Sequence, residues 1–195
     1  MKIILGSKSL YRSIILKQMG HEFTIMDPNI DEKAIRYEDP RQLVTALAYA
    51  KAEVLLPQIS EAALLITSDQ VIYCNHQIIE KPENPAEARY FLDLFTKFPA
   101  QTFTALLVTN TLTKQQCSGT DIAEIKIAAI PQNIVDLLVK QEYILNYAGG
   151  FSIDDPLFMP YIEQITGDVD SIRGLPKFLL QELLQKVNCP GSTAG

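Results

Sequence analysis

The chain has 195 residues, of which 47% are apolar and 21% are charged, a balance that predicts a globular protein with a substantial core. Its formal net charge of −6 argues against stable nucleic-acid binding, because neutralising a phosphate backbone requires a basic face. Three cysteines without metal-ligand spacing and two histidines argue against a disulfide framework and against a zinc or histidine-rich metal site.

The first residues of the chain and its cysteines indicate in which cellular compartment the protein is expected. The first apolar run is too short for a signal peptide, and no later run approaches membrane length. A sparse, odd set of cysteines is typical of a reducing compartment. These features predict a cytoplasmic protein that does not insert into a membrane.

The first elements predict a strand, a small polar loop and a helix. Residues 2–5 form a short, largely apolar run, and Ser9 can cap a helix that runs to about residue 19. The predicted apolar face of this helix comprises Leu10, Ile14, Ile15, Leu16 and Met19. Free N–H groups at such a helix start favour an anion, so the loop side chains could converge on a phosphate. Those side chains are Ser7, Ser9 and Arg12. The alternative is that Ser9 only caps and that Arg12 lies on a solvated face.

A second strand at residues 23–26 precedes the charged triplet at 31–33, which taken alone is typical of solvated surface. A long helix then begins near Asp39 and Pro40. Its predicted buried face comprises Leu43, Leu47, Ala50 and Val54. Lys51 lies one residue off that face, where it could reach a cleft or extend its ammonium to solvent.

Residues 64–81 are predicted to form a hairpin with a turn at Asn75–His76. The polar residues 67–70 are expected to interrupt its first apolar run. A carboxylate there, Asp69, costs free energy unless it is paired or bound to a cation. Lys81 stands at the far end of the returning strand and could come near Asp69, an arrangement that suits metal-assisted chemistry on a phosphate.

The remaining elements complete the prediction of an α/β protein with a mixed sheet and flanking helices. Helices are expected at 85–95, 131–140 and 177–184, and strands at 103–109, 122–130 and 160–165. Residues 167–170 are expected to turn. We expect one domain over residues 1–187 and a disordered tail over 188–195.

Dispersed segments now match one family in order along nearly the whole chain. They are IILGSKSLYR at the start, DEK at 31–33, LAYAKAE around Lys51, SDQV at 68–71, EKP at 80–82, YAGGF at 147–151 and ITGDVDSIRGLP at 165–176. The chain therefore resembles the Maf family of nucleoside triphosphate pyrophosphatases, which is related in fold to the inosine-triphosphate pyrophosphatases.

The resemblance implies a cytoplasmic enzyme that splits a nucleoside triphosphate into the monophosphate and pyrophosphate with a divalent cation, Mg²⁺ or Mn²⁺. It implies an elongated fold with two lobes around a cleft, and a possible homodimer. Asp69 falls on the family's catalytic acid and Glu32 on the acid beside it, so both would hold the metal. The positions that would surround the triphosphate are Ser7, Ser9, Arg12, Lys51 and Lys81.

Three positions resemble the branch of the family that acts on 7-methyl-GTP. They are Gln70 after the catalytic acid, Tyr11 in the first loop and Asp154 after the AGGF segment. A ring can stack on a cationic methylated purine, and a carboxylate can pair with the guanine N–H edge. The alternative is that Tyr11 covers the helix start and Asp154 caps a turn.

The chain also departs from the family pattern at Ser13, where a second arginine is usual, so one positive charge is absent from the anion site. Two other functions stay open. One is a dTTP/UTP pyrophosphatase of the same family, and the other is a nucleotide-binding regulator with little turnover.

Overall fold

The structure is a computed structural model that describes residues 1–188, apart from the side chain at position 142. Its strands are β1 (Lys2–Gly6), β2 (Phe23–Ile25), β3 (Ala63–Cys74), β4 (Gln77–Ile79), β5 (Ala100–Asn110), β6 (Gln116–Ile127) and β7 (Ile162–Thr166). Its helices are α1 (Leu10–Gln18), α2 (Pro40–Leu55), α3 (Pro85–Phe95), α4 (Gln132–Leu138), α5 (Val169–Ile172) and α6 (Lys177–Asn188).

The strands form a mixed sheet in the order β2-β1-β3-β5-β6-β7, with β4 paired to β3. β1 is parallel to both of its neighbours, whereas β4 and β7 are antiparallel to theirs. Parallel strands need crossover connections, which α1 and α2 provide here. The predicted fold class, α/β with a mixed sheet and helices, is confirmed.

The chain divides into two compact units. The first unit comprises Met1–Asp69, Thr104–Asp121 and the chain from Gly174, and its core includes Leu5, Leu16, Ile66 and Leu180. The second unit comprises Gln70–Phe103 and Ile122–Arg173. Phe95, Phe151 and Phe158 belong to its core, where Phe151 stacks on Phe158 with ring centroids 4.8 Å apart. The expectation of one domain over residues 1–187 stays a prediction.

Gly6 ends β1 at a point where the backbone leaves no room for a side chain. A Cβ at this position would lie 2.7 Å from a methyl carbon of Leu55 on α2 and 2.7 Å from one of Thr67 on β3. β1 therefore packs directly against the end of α2 and its parallel neighbour. This close approach fixes where α2 runs, and α2 carries Lys51 one turn before Leu55.

The capping predictions hold. Ser9 accepts a hydrogen bond from the backbone N–H of Arg12 at the start of α1, and Asp39 accepts one from Arg41 at the start of α2. The turn at Asn75–His76 also occurs as predicted, with both residues at positive φ.

The hairpin prediction was wrong in one respect, because the polar residues do not interrupt the first strand. β3 runs without a break through Ala63–Cys74, and Thr67, Ser68 and Asp69 are all buried within it. Their polar groups are satisfied by partners from elements far away in sequence, so the strand can continue through the interior.

The predicted buried faces of the first two long helices also need correction. On α1, the prediction is confirmed for Ile15 and Leu16, which are buried, and wrong for Leu10 and Ile14, which are exposed. On α2, Val54 is exposed and Ala50 is half-buried, whereas Lys51 is buried with the apolar residues. On α2, the buried face is therefore rotated slightly about the helix axis relative to the predicted face.

Several boundaries differ as well. β5 begins three residues earlier than predicted, and β6 begins six residues earlier and ends three earlier. The predicted turn at residues 167–170 is partly helical, since α5 begins at Val169. α6 extends through Asn188, where the predicted tail begins; the rest of that tail lies outside the described residues. Within residues 1–188, no helix is long and apolar enough to cross a membrane.

Candidate active site

The ammonium of Lys51 lies between two carboxylates in the first unit. It forms an ion pair with Oδ1 of Asp69 and another, 2.7 Å long, with Oε1 of Glu32. Lys51 and Asp69 are 5% and 7% exposed, whereas the side chain of Glu32 is 41% exposed. Asp69 is thus enclosed, whereas the carboxylate of Glu32 is accessible from solvent.

The burial of Lys51 follows from the packing of α2. Lys51 shares the buried face of the helix with Ala48, Ala52 and Leu55, so its stem is enclosed and its head is directed at β3. Of the two alternatives for this lysine, the structure favours reaching an internal partner over extending to solvent. A buried lysine requires such a partner, and Asp69 provides it.

Arg12 is held in place by three acceptors. Its Nε donates to the backbone oxygen of Gly174 at 2.9 Å, and its Nη1 donates to the backbone oxygen of Ser68 at 2.9 Å and to Oγ of Ser7 at 3.2 Å. The alternative that Arg12 lies on a solvated face is therefore wrong. A guanidinium oriented in this way is suited to binding an anion such as a phosphate group.

The first loop supplies hydroxyl groups beside Arg12. Ser7 is buried, and its Oγ accepts from the backbone N–H of Ser9 at 3.1 Å as well as from Arg12. Ser9 caps α1 through its contact with the N–H of Arg12. The structure thus brings Ser7, Ser9 and Arg12 together at one helix start, as the sequence predicts.

Burial and charge pull the ionisation of these groups in opposite directions. Burial raises the pKa of the Asp69 carboxyl, while Lys51 and Arg12 act to lower it. Burial lowers the pKa of the Arg12 guanidinium, and the charges of Asp69 and Glu32 act against that change. An arginine stays protonated under such shifts, so a fixed cation faces an acid that binds protons more readily than usual.

The donor set near Lys51 is compatible with a magnesium-like ion only if a ligand completes the shell. Within the described residues, no group of three or more histidine, cysteine, aspartate or glutamate side chains lies close enough to hold a metal. Glu32 and Asp69 offer two carboxylates. Mg²⁺ is commonly bound by one or two carboxylates together with substrate phosphates and water, so the pair fits that mode.

Three other predicted site residues belong to the second unit. Gln70 donates from its amide nitrogen to the backbone oxygens of Ser171 and Ile172, at 2.6 and 3.2 Å. Lys81 is exposed and follows β4 by two residues. Asp154 is the third of these residues, and the functional assignments of all three stay predictions.

Asp154 forms a two-point contact with Arg173. Its carboxylate oxygens accept from Nε at 3.0 Å and from Nη2 at 2.6 Å, and Asp170 accepts from Nη1 at 3.0 Å. Hydrogen bonding to Asp154 raises the pKa of Arg173, with Asp170 adding to the effect. The two carboxylates thus hold the guanidinium of Arg173 in one orientation.

Tyr11 and Ser13 follow the first loop on α1, and both are half-buried. The hydroxyl of Ser13 donates to the backbone oxygen of Ser9 at 3.1 Å. Lys8, which precedes Ser9 in the first loop, forms an ion pair with Asp27 at 2.6 Å. Ser13 thus bonds within its own helix.

Sequence reasoning missed two positions that hold the site together. The hydroxyl of Ser68 donates to the backbone oxygen of Gly174 at 3.3 Å, and the backbone oxygen of Ser68 accepts from Arg12 and, at 3.5 Å, from Lys51. Gly174 has φ of 97°. Its position in the RGLP segment was a signal for a special backbone conformation, but its role as an acceptor could not be read from the sequence.

Comparison with known proteins adds independent information. The family model described as "Maf-like protein" matches residues 2–187. A 7-methyl-GTP pyrophosphatase of Dictyostelium discoideum is 38% identical, over 95% of this chain and 97% of its own. A dTTP/UTP pyrophosphatase of Vibrio vulnificus is 27% identical, over 95% and 98%.

A solved structure of a nucleoside-triphosphatase, a dITP/XTP pyrophosphatase from Mycobacterium abscessus, is 12% identical and superposes with a TM-score of 0.45. It covers 98% of this chain and 100% of the other, a likeness too distant to inform the chemistry. The match to the family model extends over nearly the whole chain, and it includes every residue of the cluster around Lys51. The chain therefore belongs to the Maf-like protein family.

Proposed function

We propose that the protein is a nucleoside triphosphate pyrophosphatase that hydrolyses a nucleoside triphosphate to the monophosphate and pyrophosphate. The observation that carries this proposal is the contact of Lys51 with both Glu32 and Asp69. Beside it, Arg12 is fixed by backbone acceptors at the start of α1. Acids that can position water lie next to cations that can bind phosphate, which is the combination that phosphoryl-transfer chemistry requires.

In the proposed reaction, a water oxygen attacks the α-phosphorus of the substrate. Asp69 accepts the proton of that water, a role supported by its burial and raised pKa. The bond from the α-phosphorus to the bridging oxygen breaks, and its electron pair leaves with pyrophosphate. Lys51 and Arg12 offset the charge that grows on the bridging and leaving oxygens.

We propose a divalent cation, Mg²⁺ or Mn²⁺, as cofactor, held by Glu32 and Asp69 together with substrate oxygens. When bound, it supplies positive charge to the phosphate oxygens and a lower pKa for a neighbouring water. The half-exposed Glu32 and the buried Asp69 are the carboxylates that support this assignment.

We propose 7-methyl-GTP as the preferred substrate. The 38%-identical relative named for that activity supports this choice. Tyr11, Gln70 and Asp154 remain the proposed specificity residues, and the carboxylate of Asp154, whose side chain is 36% exposed, is compatible with a cationic base. We also propose a cytoplasmic location.

The test is a comparison of pyrophosphate release from 7-methyl-GTP, GTP, dTTP, UTP and CTP by the purified chain, with and without Mn²⁺. GTP is the matched control for 7-methyl-GTP, because the two differ by the methyl group and its positive charge. We expect turnover with Mn²⁺ and the highest kcat/KM for 7-methyl-GTP.

Other results would favour the alternatives. Turnover confined to dTTP and UTP would support the activity named for the 27%-identical relative. Saturable binding of a triphosphate without pyrophosphate release would support a nucleotide-binding regulator. Failure to bind or hydrolyse any triphosphate would refute the proposed function.

A further inference from the structure

Lys51 contacts three oxygen atoms within the cluster of acids. Its ammonium donates to a carboxylate oxygen of Asp69 and to the backbone oxygen of Ser68, and it forms an ion pair with a carboxylate oxygen of Glu32. Its charge lies between the two carboxylates proposed to hold a divalent cation. The lysine therefore occupies the position that such a cation would need.

The charges around Lys51 cancel in the absence of a ligand. Arg12 and Lys51 contribute two positive charges, Glu32 and Asp69 contribute two negative charges, and Arg12 is close enough to feel both acids. A neutral cluster exerts little net attraction on a divalent cation arriving from water. A carboxylate that is buried and already paired with an ammonium is also a poor ligand, because the pair must first be broken.

A triphosphate changes this balance, because its negative charges compete with the carboxylates for Lys51. Once Lys51 turns to phosphate, Glu32 and Asp69 are left with excess negative charge, and a divalent cation can restore neutrality between them. The flexible four-carbon stem of lysine permits such an exchange of partners.

We propose that Lys51 is the resident counter-ion of the Glu32–Asp69 pair, and that it must leave the pair before a divalent cation can bind there. Metal and triphosphate then bind cooperatively, and each strengthens the binding of the other by the same factor. This inference rests on the proposed function, in which the same two carboxylates hold the metal. It assigns to Lys51 a second role, that of keeping the acid pair closed to metal until nucleotide arrives.

The experiment measures Mn²⁺ binding to the protein without nucleotide, by the loss of the free-ion electron paramagnetic resonance signal. Lys51→Met removes the charge, and Lys51→Gln removes it while keeping hydrogen-bond donors for Asp69. Removing a neighbouring positive charge should strengthen Mn²⁺ binding by at least about tenfold in both variants. Lys51→Arg keeps the charge, so its affinity should stay close to that of the parent protein.

Lys8→Met is the matched control, because it also removes one lysine charge from the first unit, at an exposed ion pair with Asp27. Its Mn²⁺ affinity should equal that of the parent. The thermal unfolding midpoint verifies that each variant is folded; if Lys51→Met fails to fold, Lys51→Gln decides the question.

Mn²⁺ affinity that is unchanged or weaker in the folded neutral variants would overturn the proposal. The same holds if Lys8→Met gains as much affinity as they do. Because no nucleotide is present, the Mn²⁺ affinity is measured independently of turnover. If the neutral Lys51 variants bind Mn²⁺ more tightly but the parent protein releases pyrophosphate from no triphosphate, the proposed function is refuted and the role of Lys51 stands.

Discussion

The backbone oxygen of Gly174 accepts a 2.9 Å hydrogen bond from Nε of Arg12, 162 residues away in the chain. The same oxygen accepts from the hydroxyl of Ser68. One carbonyl group therefore orients the cation proposed to bind phosphate and the residue that precedes the proposed general base. The direction of that carbonyl depends on a backbone φ of 97°, which glycine adopts without strain.

Replacing Gly174 should lower activity through Arg12. In Gly174→Ala the strained residue is expected to rotate the carbonyl away from Arg12, and the misplaced guanidinium should lower kcat/KM by on the order of tenfold or more. Gly20→Ala is a matched control, since Gly20 has φ of 81° and open space around it. It should lose similar stability with unchanged kcat/KM.

The link to Arg12 is tested by combining variants. If Gly174 acts by positioning Arg12, Gly174→Ala should cost little further activity in a protein that already carries Arg12→Ala. Additive losses in the double variant would show that the glycine acts by another route.

Asp69→Asn should nearly abolish turnover. The amide cannot accept the proton of water, and we expect the barrier to rise by about 2–4 kcal/mol, a loss in kcat of about 30-fold to 1,000-fold. Pyrophosphate release under saturating substrate measures this. Asp27→Asn, which breaks the exposed pair with Lys8, should keep the parental rate, and a fully active Asp69→Asn would exclude Asp69 as the base.

Asp154→Asn should weaken the preference of the enzyme for 7-methyl-GTP over GTP. Because the base of 7-methyl-GTP carries a positive charge that the base of GTP lacks, loss of the Asp154 carboxylate charge is expected to reduce the ratio of kcat/KM for 7-methyl-GTP over that for GTP by about tenfold. Asp170→Asn is the comparison, because Asp170 also pairs with Arg173 but is not predicted to contact the base. Equal ratios in the two variants would indicate that Asp154 only holds Arg173.

Cys74 should resist alkylation far above neutral pH. Burial raises the pKa of its thiol to about 11, and Sγ lies 3.6 Å from the backbone oxygen of Phe98. Because the thiolate is the reactive form, labelling at pH 8 should be about a hundredfold slower than in the unfolded chain. Peptide mapping after iodoacetamide treatment measures this, and labelling of native Cys74 as fast as that of Cys117, which is half-buried, would contradict it.

The same shift has a defined effect on stability. The unfolded chain loses the Cys74 proton near pH 9.0 and the folded protein near about 11, so the free energy of unfolding should fall as pH rises between these values. Cys74→Ala lacks this contribution. Its stability should therefore decline less than that of the parent between pH 9.0 and about 11, as measured by denaturant unfolding at each pH.

Local signals were sufficient for much of the fold. Polar caps such as Ser9 and Asp39 predict where α1 and α2 begin, because a cap acts within three residues of its own position. The positive-φ turn at Asn75–His76 is local in the same way. The grouping of Glu32 and Lys51 with Asp69 was predicted in a different way, from motifs that occur along the whole chain in the same order as in the Maf family.

The continuity of β3 could not be predicted from its own residues. The hydroxyl of Thr67 donates to the backbone oxygen of Ala48 at 2.7 Å, and Asp69 pairs with Lys51. Both partners lie on α2, and nothing in the segment itself indicates that a helix will supply them. Without those partners, the polar residues are typical of a break in a strand.

The bare backbone at Gly6 sets a limit on variation at the proposed active site. A single methyl group there would meet side-chain methyl carbons of Leu55 and Thr67 at 2.7 Å, so those side chains, or the elements α2 and β3 that carry them, would have to shift. Lys51 and Asp69 sit on those two elements, four residues before Leu55 and two after Thr67. The smallest possible enlargement of a residue with no chemistry of its own would thus disturb the packing of both elements that hold the ion pair on which the proposed reaction depends.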